Sequence, residues 1–436
     1  MTNTASHSIV RERSRGHEEP GHLFQRYLEV RHRSEEICSP LAVDDYQVQS
    51  VPEASPPKWH IAHSSWFFET FLLLDRLEGY RAFHPRFSHL FNSYYETAGT
   101  FHPRDRRHTL SRPTVEEVYE YRAWVDRGME RLLRDCDHAR HPEIRERTVL
   151  GLEHECQHQE LLLMDIKRNF FENPLYPVYR EEAASSDGFG DSASHRWVDR
   201  PGGVFEIGHE GPGFCFDNEM PRHRVLLEDH GLGSRLVTNS EYLEFIEDGG
   251  YSDPRSWLSD GWQAVRARGW RAPLYWVEVE GSWHELTLHG LEPVRPANPV
   301  CHVSYYEADA FARWRGARLP LESELELAAA GEPLEGNFME SGLLHPRPAR
   351  GDGDRQLFGD LWEWTRSPYS AYPGFRPLEG SLGEYNGKFM VNQMVLRGGS
   401  CVTPCENARK TYRNFFPPEE RWPFTGIRLA CDASRS

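Results

Sequence analysis

Part-way along the chain the texture of the sequence changes, and this limits the fold more than any other feature. Up to about residue 178, apolar residues recur at helical spacing over long runs. Beyond about residue 195, Gly and Pro are frequent, aromatics are dense and apolar runs are short, as in Gly203-Val204-Phe205-Glu206-Ile207. Long amphipathic helices pack on one another, whereas short twisted strands need sheet layers, so the two textures call for separate architectures. A length of 436 residues agrees, because single cores stop growing well below that size. The expected class is α + (α+β): a charged tail over 1–20, a helical bundle over 21–178, a linker over 179–194 and a loop-rich α+β domain over 195–436. The linker is expected from its Glu, Ala, Ser, Asp and Gly composition.

Four helices are readable in the first part. One runs from about His22 to Ile37, with Leu23, Tyr27, Val30 and Ile37 on one side. A second starts at Ser55-Pro56-Pro57, where a hydroxyl can cap and proline fits the first turn, and continues through Trp66 and Phe71 to Leu77. Thr114-Val115-Glu116-Glu117 is a capping box opening a third helix to about Asp135, and Pro142 opens a fourth through Ile166. Four such helices imply a four-helix bundle. In the second part, helical periods are confined to Asn239–Glu247 and Ser304–Trp314.

Charge and cysteine usage exclude some functions. Lys plus Arg number 50 against 67 Asp plus Glu, a net charge of −17 that repels phosphate backbones and anionic lipid. Neither a nucleic-acid nor a membrane partner is expected. No run of some 18 apolar residues occurs, and Met1 to Pro20 lacks an apolar signal core, so a soluble cytoplasmic protein is expected. The 8 cysteines form no C-x-x-C pair, which argues against a disulfide framework.

Chemistry concentrates in the bundle. His154-Glu155-Cys156-Gln157-His158 places two imidazoles four residues apart on one helix face, the spacing for joint ligation of one metal. It also matches H-E-x-x-H, in which Glu155 would serve as the general base of a zinc hydrolase. The extended continuation of that motif is absent: Gln159-Glu160-Leu161-Leu162-Leu163 follows instead. Trp59-His60-Ile61-Ala62-His63 sets two more histidines in an apolar helix. His60 is expected to bond backbone or a carboxylate, and His63 to face His154 and His158 across the bundle core. Three neutral nitrogens with open positions suit iron(II) or zinc.

Several motifs, taken in order, resemble a known two-domain family. Ser55 to His63 with Trp66-Phe67-Phe68-Glu69-Thr70, then Leu90 to Glu96, then His154 to Glu160 resemble the DinB-like helical domain of ergothioneine-biosynthesis sulfoxide synthases. Arg318-Leu319-Pro320, Leu361-Trp362-Glu363-Trp364-Thr365, Leu396-Arg397-Gly398-Gly399-Ser400 and Gly426-Ile427-Arg428-Leu429-Ala430 resemble the C-type-lectin-like formylglycine-generating-enzyme fold. The resemblance implies a site between the domains where His63, His154 and His158 bind Fe(2+). Its substrates would be N-α-trimethylhistidine (hercynine), L-cysteine and O2. It further implies that Gln157 bonds the substrate imidazole, that Arg104 and Arg107 hold the sulfur donor's carboxylate, and that Asn414, Phe415 and Phe416 form the substrate loop. A phenol close to the metal would act catalytically; Tyr94 or Tyr95 is expected, with Tyr385 in reserve.

One stretch departs from the family. Relatives that use γ-glutamylcysteine carry Asn-Trp-Asp and then Arg, whereas this chain reads Asn414-Phe415-Phe416-Pro417-Pro418-Glu419-Glu420-Arg421. The acidic partner for a glutamyl ammonium is gone, which favours free cysteine. Other readings of the same residues are an ovothiol-type synthase acting on unmethylated histidine, a zinc hydrolase, a copper-dependent formylglycine-generating enzyme using Cys401 and Cys405, and a lectin-like binding module without catalysis.

Overall fold

The computed structural model describes residues 20–135, 141–181, 192–350 and 356–433. The first domain contains α1 (Pro20–Cys38), α2 (Pro57–Phe68), α3 (Leu74–Arg76), α4 (Phe87–Phe91), α5 (Val115–Asp135) and α6 (Pro142–Glu172). The long helices α1, α2, α5 and α6 pack as the bundle. All twelve residues of α2 are buried, which accounts for a helix apolar on nearly every side. The second helix does not run regularly to Leu77: a π-helical turn over Glu69–Leu73 separates α2 from α3. Glu69 in that turn accepts hydrogen bonds from Tyr121 (2.8 Å), Tyr80 (2.8 Å) and the Phe83 amide (3.1 Å). The predicted capping box is formed, Thr114 N donating to Glu117 at 2.6 Å and Glu117 N to Thr114 Oγ1 at 3.1 Å.

The second domain is built from small sheets. In one, β1 (Trp197–Arg200), β4 (His230–Gly233) and β12 (Ala430–Asp432) pair in the order β1-β4-β12. A hairpin joins β2 (Gly203–Ile207) to β3 (His223–Leu227), and β5 (Trp276–Val279), β6 (Ser282–Thr287) and β7 (Gly290–Pro293) form a meander. A four-stranded sheet has the order β10-β9-β8-β11, from β8 (Trp362–Pro368), β9 (Met394–Arg397), β10 (Asn414–Phe416) and β11 (Thr425–Gly426). The two expected helices are α7 (Asn239–Glu247) and α9 (Tyr305–Trp314). Two more were not expected, α8 (Ser259–Arg268) and α10 (Glu322–Ala329). The first is mostly polar and the second spans eight residues, so neither shows a long apolar period.

The domains share α6. Glu160 on this helix is buried and accepts hydrogen bonds from Trp362 Nε1 (2.5 Å), Ser400 Oγ (3.3 Å) and Thr403 Oγ1 (2.7 Å). Lys167, two turns further, donates to His302 Nε2 at 2.8 Å. One hydrophobic core runs continuously from Trp66 in the bundle to Trp362 and Ile427 in the second domain. Tyr179, placed at the start of the expected linker, is buried and donates to the Ile37 carbonyl at 2.7 Å. Residues 182–191 of that linker, and residues 1–19 of the expected tail, lie outside the described residues. Among the described residues no helix is long and apolar enough to cross a membrane.

Candidate metal centre

Close approach of α2 and α6 creates the centre. Gly151 lies one turn before His154, and a Cβ there would meet Phe68 Cε1 at 2.6 Å, so the absent side chain lets the two helices close up. His63 comes from α2, and His154 and His158 from one face of α6. One ligand atom from each lies within 4.8 Å of the others, and this is the group of such residues found among the described ones. His63 Nδ1 donates to the Phe91 carbonyl at 2.5 Å, so its Nε2 presents a lone pair 3.2 Å from His154 Nε2.

Burial pushes the pKa of all three imidazoles down. His63 and His158 fall well below the ordinary value, with the neighbouring rings adding to the effect, and His154 falls to about 3. Three neutral nitrogens of this kind match the donor set of a divalent transition metal. His60 stays outside the cluster: its Nε2 donates to Asp165 Oδ2 at 2.9 Å and its Nδ1 lies 2.8 Å from His158 Nδ1.

Trp59 stacks on His63 with ring centroids 4.4 Å apart, and the Arg107 guanidinium lies 3.3 Å from the centre of the Trp59 ring. The expected arginine pair is divided: Arg107 is 2% exposed and donates to Ser55 Oγ at 2.7 Å, while Arg104 is exposed on the same short 3-10 turn. Gln157 faces the second domain. Its Nε2 donates to Tyr412 at 2.5 Å and its Oε1 accepts from the Tyr385 hydroxyl, whose ring lies 5.7 Å from His154.

The other phenols stand further back. The Tyr95 ring is fully buried against Trp66 (5.6 Å) and Phe71 (5.2 Å), and Tyr94 stacks on it at 4.7 Å. Burial raises all three of these phenols above the ordinary tyrosine value, and neighbouring phenols raise Tyr95 and Tyr385 further. In β10, Phe415 stacks face to face on Tyr369 at 3.9 Å, whereas Phe416 meets Trp422 edge-on at 5.3 Å. Alternation along the strand explains the opposite directions. The Asn414 side chain accepts from the Phe415 amide at 2.9 Å.

Comparison with known proteins agrees with this architecture. A DinB superfamily model matches residues 26–162, and a sulfatase-modifying factor enzyme 1-like domain model matches residues 192–350 and 347–433. Hercynine oxygenase of Mycolicibacterium smegmatis is 34% identical over 315 residues, covering 66% of this chain and 72% of that protein. The chain belongs to the hercynine oxygenase family. Hercynine oxygenase of Mycobacterium tuberculosis is 37% identical over 240 residues, covering 50% of this chain and 56% of the relative. The formylglycine-generating enzyme of Streptomyces coelicolor is 29% identical over 292 residues, or 53% of this chain.

Within this member of the hercynine oxygenase family, Glu155 is in no position to serve as a hydrolase base. It is 1% exposed and turned into the bundle, where its carboxylate accepts from Ser34 (2.7 Å), Arg122 (2.7 Å) and Arg31 (3.1 Å). Burial works to raise its pKa, but Arg122 and Arg31 outweigh burial and hold it at about 2, against an ordinary 4.5. A carboxylate depressed in the folded state contributes stability above its unfolded pKa and loses it as pH falls toward the folded value. Acid therefore removes about 3 kcal/mol between roughly pH 4.5 and pH 2 through this group. Glu155→Gln is expected to lower stability by about 1–3 kcal/mol at neutral pH, because two buried guanidiniums lose one carboxylate partner each, Arg31 keeping Asp126 and Arg122 keeping Glu35. Urea unfolding measures it, and a loss under 1 kcal/mol would contradict the account. Cys401 is buried, with Asp360, Lys167 and Glu160 acting on it, and Cys405 is half-buried, with Glu340, Glu406 and Arg33 acting on it.

Sequence reasoning missed several parts of the site. Tyr412 and Trp422 reach it from distant segments with no spacing to mark them, whereas Trp59 lies four residues before His63 on the same helical face. Asp165 did carry a signal, since it lies seven residues after His158 on the same helical face.

Proposed function

We propose that this chain joins the sulfur of L-cysteine to the imidazole ring of hercynine at a single iron(II), with O2 as oxidant, giving the sulfoxide intermediate of ergothioneine biosynthesis. The observation that carries this reading is the convergence of three neutral imidazoles, two of them buried and that of His158 partly so, beside Gln157 and Tyr385 where the domains meet. His63, His154 and His158 would hold the iron, which when bound supplies open positions for a thiolate and O2 together with the electron transfer between them. The balance is complete: an imidazole C–H and a thiol S–H bond break, C–S and S–O bonds form, and the second oxygen atom leaves as water.

The chain's own residues supply binding and proton control. Gln157 offers a carbonyl and an amide at the metal, so a substrate imidazole can replace one of its tyrosine partners without leaving the other unpaired. Arg107 is a buried cation with no carboxylate partner among the described residues. Burial and then the like charge of Arg104 push its pKa well down, against a smaller opposing pull from Asp165. A substrate carboxylate would supply a counter-ion. Tyr385, bonded to Gln157 and with its ring 5.7 Å from that of His154, would hand a proton to the reacting centre. The trimethylammonium group can donate no hydrogen bond, so aromatic faces suit it.

Anaerobically purified, iron-loaded protein is expected to consume hercynine, L-cysteine and O2 and to form one sulfoxide product by mass. It should also prefer L-cysteine to γ-glutamylcysteine by tenfold or more in kcat/KM. The glutamyl ammonium would meet Phe416 in place of a carboxylate, and tenfold needs only about 1.4 kcal/mol. Equal or better use of γ-glutamylcysteine would show that another group pairs the ammonium. No sulfoxide with either donor would overturn the proposed reaction.

A further inference from the structure

We propose that Asp165 and His60 form a positioning pair that sets His158 as an Nε2 ligand and couples that ligand to the second domain. The proposal rests on the reading of His63, His154 and His158 as the metal site. Asp165 is 2% exposed and surrounded by donors: His60 Nε2 (2.9 Å) and Ser55 N (2.8 Å) reach Oδ2, and Trp422 Nε1 (3.1 Å) reaches Oδ1. An ionised carboxylate only accepts, so the His60 proton sits on Nε2 and its Nδ1 carries a lone pair. The 2.8 Å contact between His60 Nδ1 and His158 Nδ1 is then donated by His158. That leaves His158 Nε2 bare beside His63 and His154, whose ring centroids lie 4.7 and 4.6 Å away. The opposite His60 tautomer would set two acceptors 2.9 Å apart at Asp165. One carboxylate thus selects the tautomer of a ligand two groups away.

Each ligand is anchored differently. His63 is fixed by a backbone carbonyl at Phe91, and the buried Nδ1 of His154 has no partner among the described residues. Only the His158 anchor ends in a charge, and that charge is held from both domains. Trp422 belongs to the second domain and packs edge-on against Phe416 of the substrate loop at 5.3 Å. Ser55, whose amide donates to Asp165, accepts from Arg107 through its hydroxyl at 2.7 Å. The two candidate substrate contacts therefore bear on the carboxylate that orients His158.

The test uses the full chain and Co2+ as probe, titrated anaerobically and followed by the visible absorption of the bound ion. Wild type, His158→Ala, Asp165→Asn, His60→Ala and the Asp165→Asn/His60→Ala double variant are compared, with circular dichroism and Tm recorded for each. Asp165→Asn and His60→Ala should each bind Co2+ 10–100-fold more weakly, the usual range for groups that orient a ligand. The double variant should be no weaker than His60→Ala, because Asp165 acts through His60. His60→Gln, whose amide can donate to Asp165 while its carbonyl accepts from His158, should recover most of the affinity. Should Asp165→Asn fail to fold, the contrast between His60→Gln and His60→Ala decides alone. Wild-type affinity in the Asp165 and His60 variants, or losses that add in the double variant, overturn the positioning pair. Undiminished binding by His158→Ala overturns the ligand reading itself, and the pair with it.

Discussion

Alanine at His63, His154 or His158 is expected to weaken iron(II) binding at least a thousandfold, and sulfoxide formation should fall below detection. Each substitution removes one of three donors, and a thousandfold corresponds to about 4 kcal/mol. Among the described residues, the nearby His60 is committed to Asp165 and His158, and Glu155 to Arg31 and Arg122, so neither stands ready to replace a lost ligand. The bundle should survive, since its core is continuous over α1, α2, α5 and α6. His63→Ala carries an additional cost of about 1–3 kcal/mol, because the Phe91 carbonyl loses its donor. Anaerobic dialysis followed by an iron assay, with circular dichroism as control, measures the effect. Near-stoichiometric iron in any of the three variants would remove that histidine from the ligand set. His60→Ala, with all three donors kept, should lose affinity by far less.

Tyr385→Phe is expected to cut sulfoxide formation at least a hundredfold while thiol consumption continues, with cysteine sulfinate as the diverted product. A positioned acid contributes about 10²–10⁴-fold, and the variant deletes one hydroxyl from an otherwise unchanged ring. Tyr385 is favoured over Tyr94 and Tyr95 because its hydroxyl bonds Gln157 and its ring lies 5.7 Å from His154. The Tyr95 ring is instead enclosed by Trp66 and Phe71. Burial raises the Tyr385 pKa well above the ordinary value, which keeps the phenol protonated and able to donate at any working pH. Product analysis by mass spectrometry over the three single Phe variants measures it. Diversion by Tyr94→Phe or Tyr95→Phe, with Tyr385→Phe unaffected, would move the proton donor into the bundle.

The long helices were legible because each carries a local mark: proline in the first turn of α2 and α6, and the capping box before α5. The His154–His158 pair was legible for the same reason, since i,i+4 spacing is a property of one helix. The π-helical turn at Glu69–Leu73 was not. Apolar residues continue through it, and what marks it is Glu69 bonding to Tyr80, Phe83 and Tyr121, partners remote in sequence. The Arg104–Arg107 pair was legible as charges but not as environments, because spacing alone does not tell a solvated guanidinium from one stacked on Trp59.

Alone, the sequence determined that two domains follow one another, that histidines sit on two helices able to face each other, and that an aromatic residue stands at position 416. These are composition, period and identity, which need no partner segment to be read. Only the tertiary structure decided that Tyr385 rather than Tyr95 stands beside Gln157, that Glu155 is consumed by Arg31 and Arg122, and that Asp165 connects His60 to Trp422. Each of these is a contact between segments far apart in the chain. A side chain of fixed identity takes on its chemistry from the burial, charge and hydrogen-bond partners that such contacts impose.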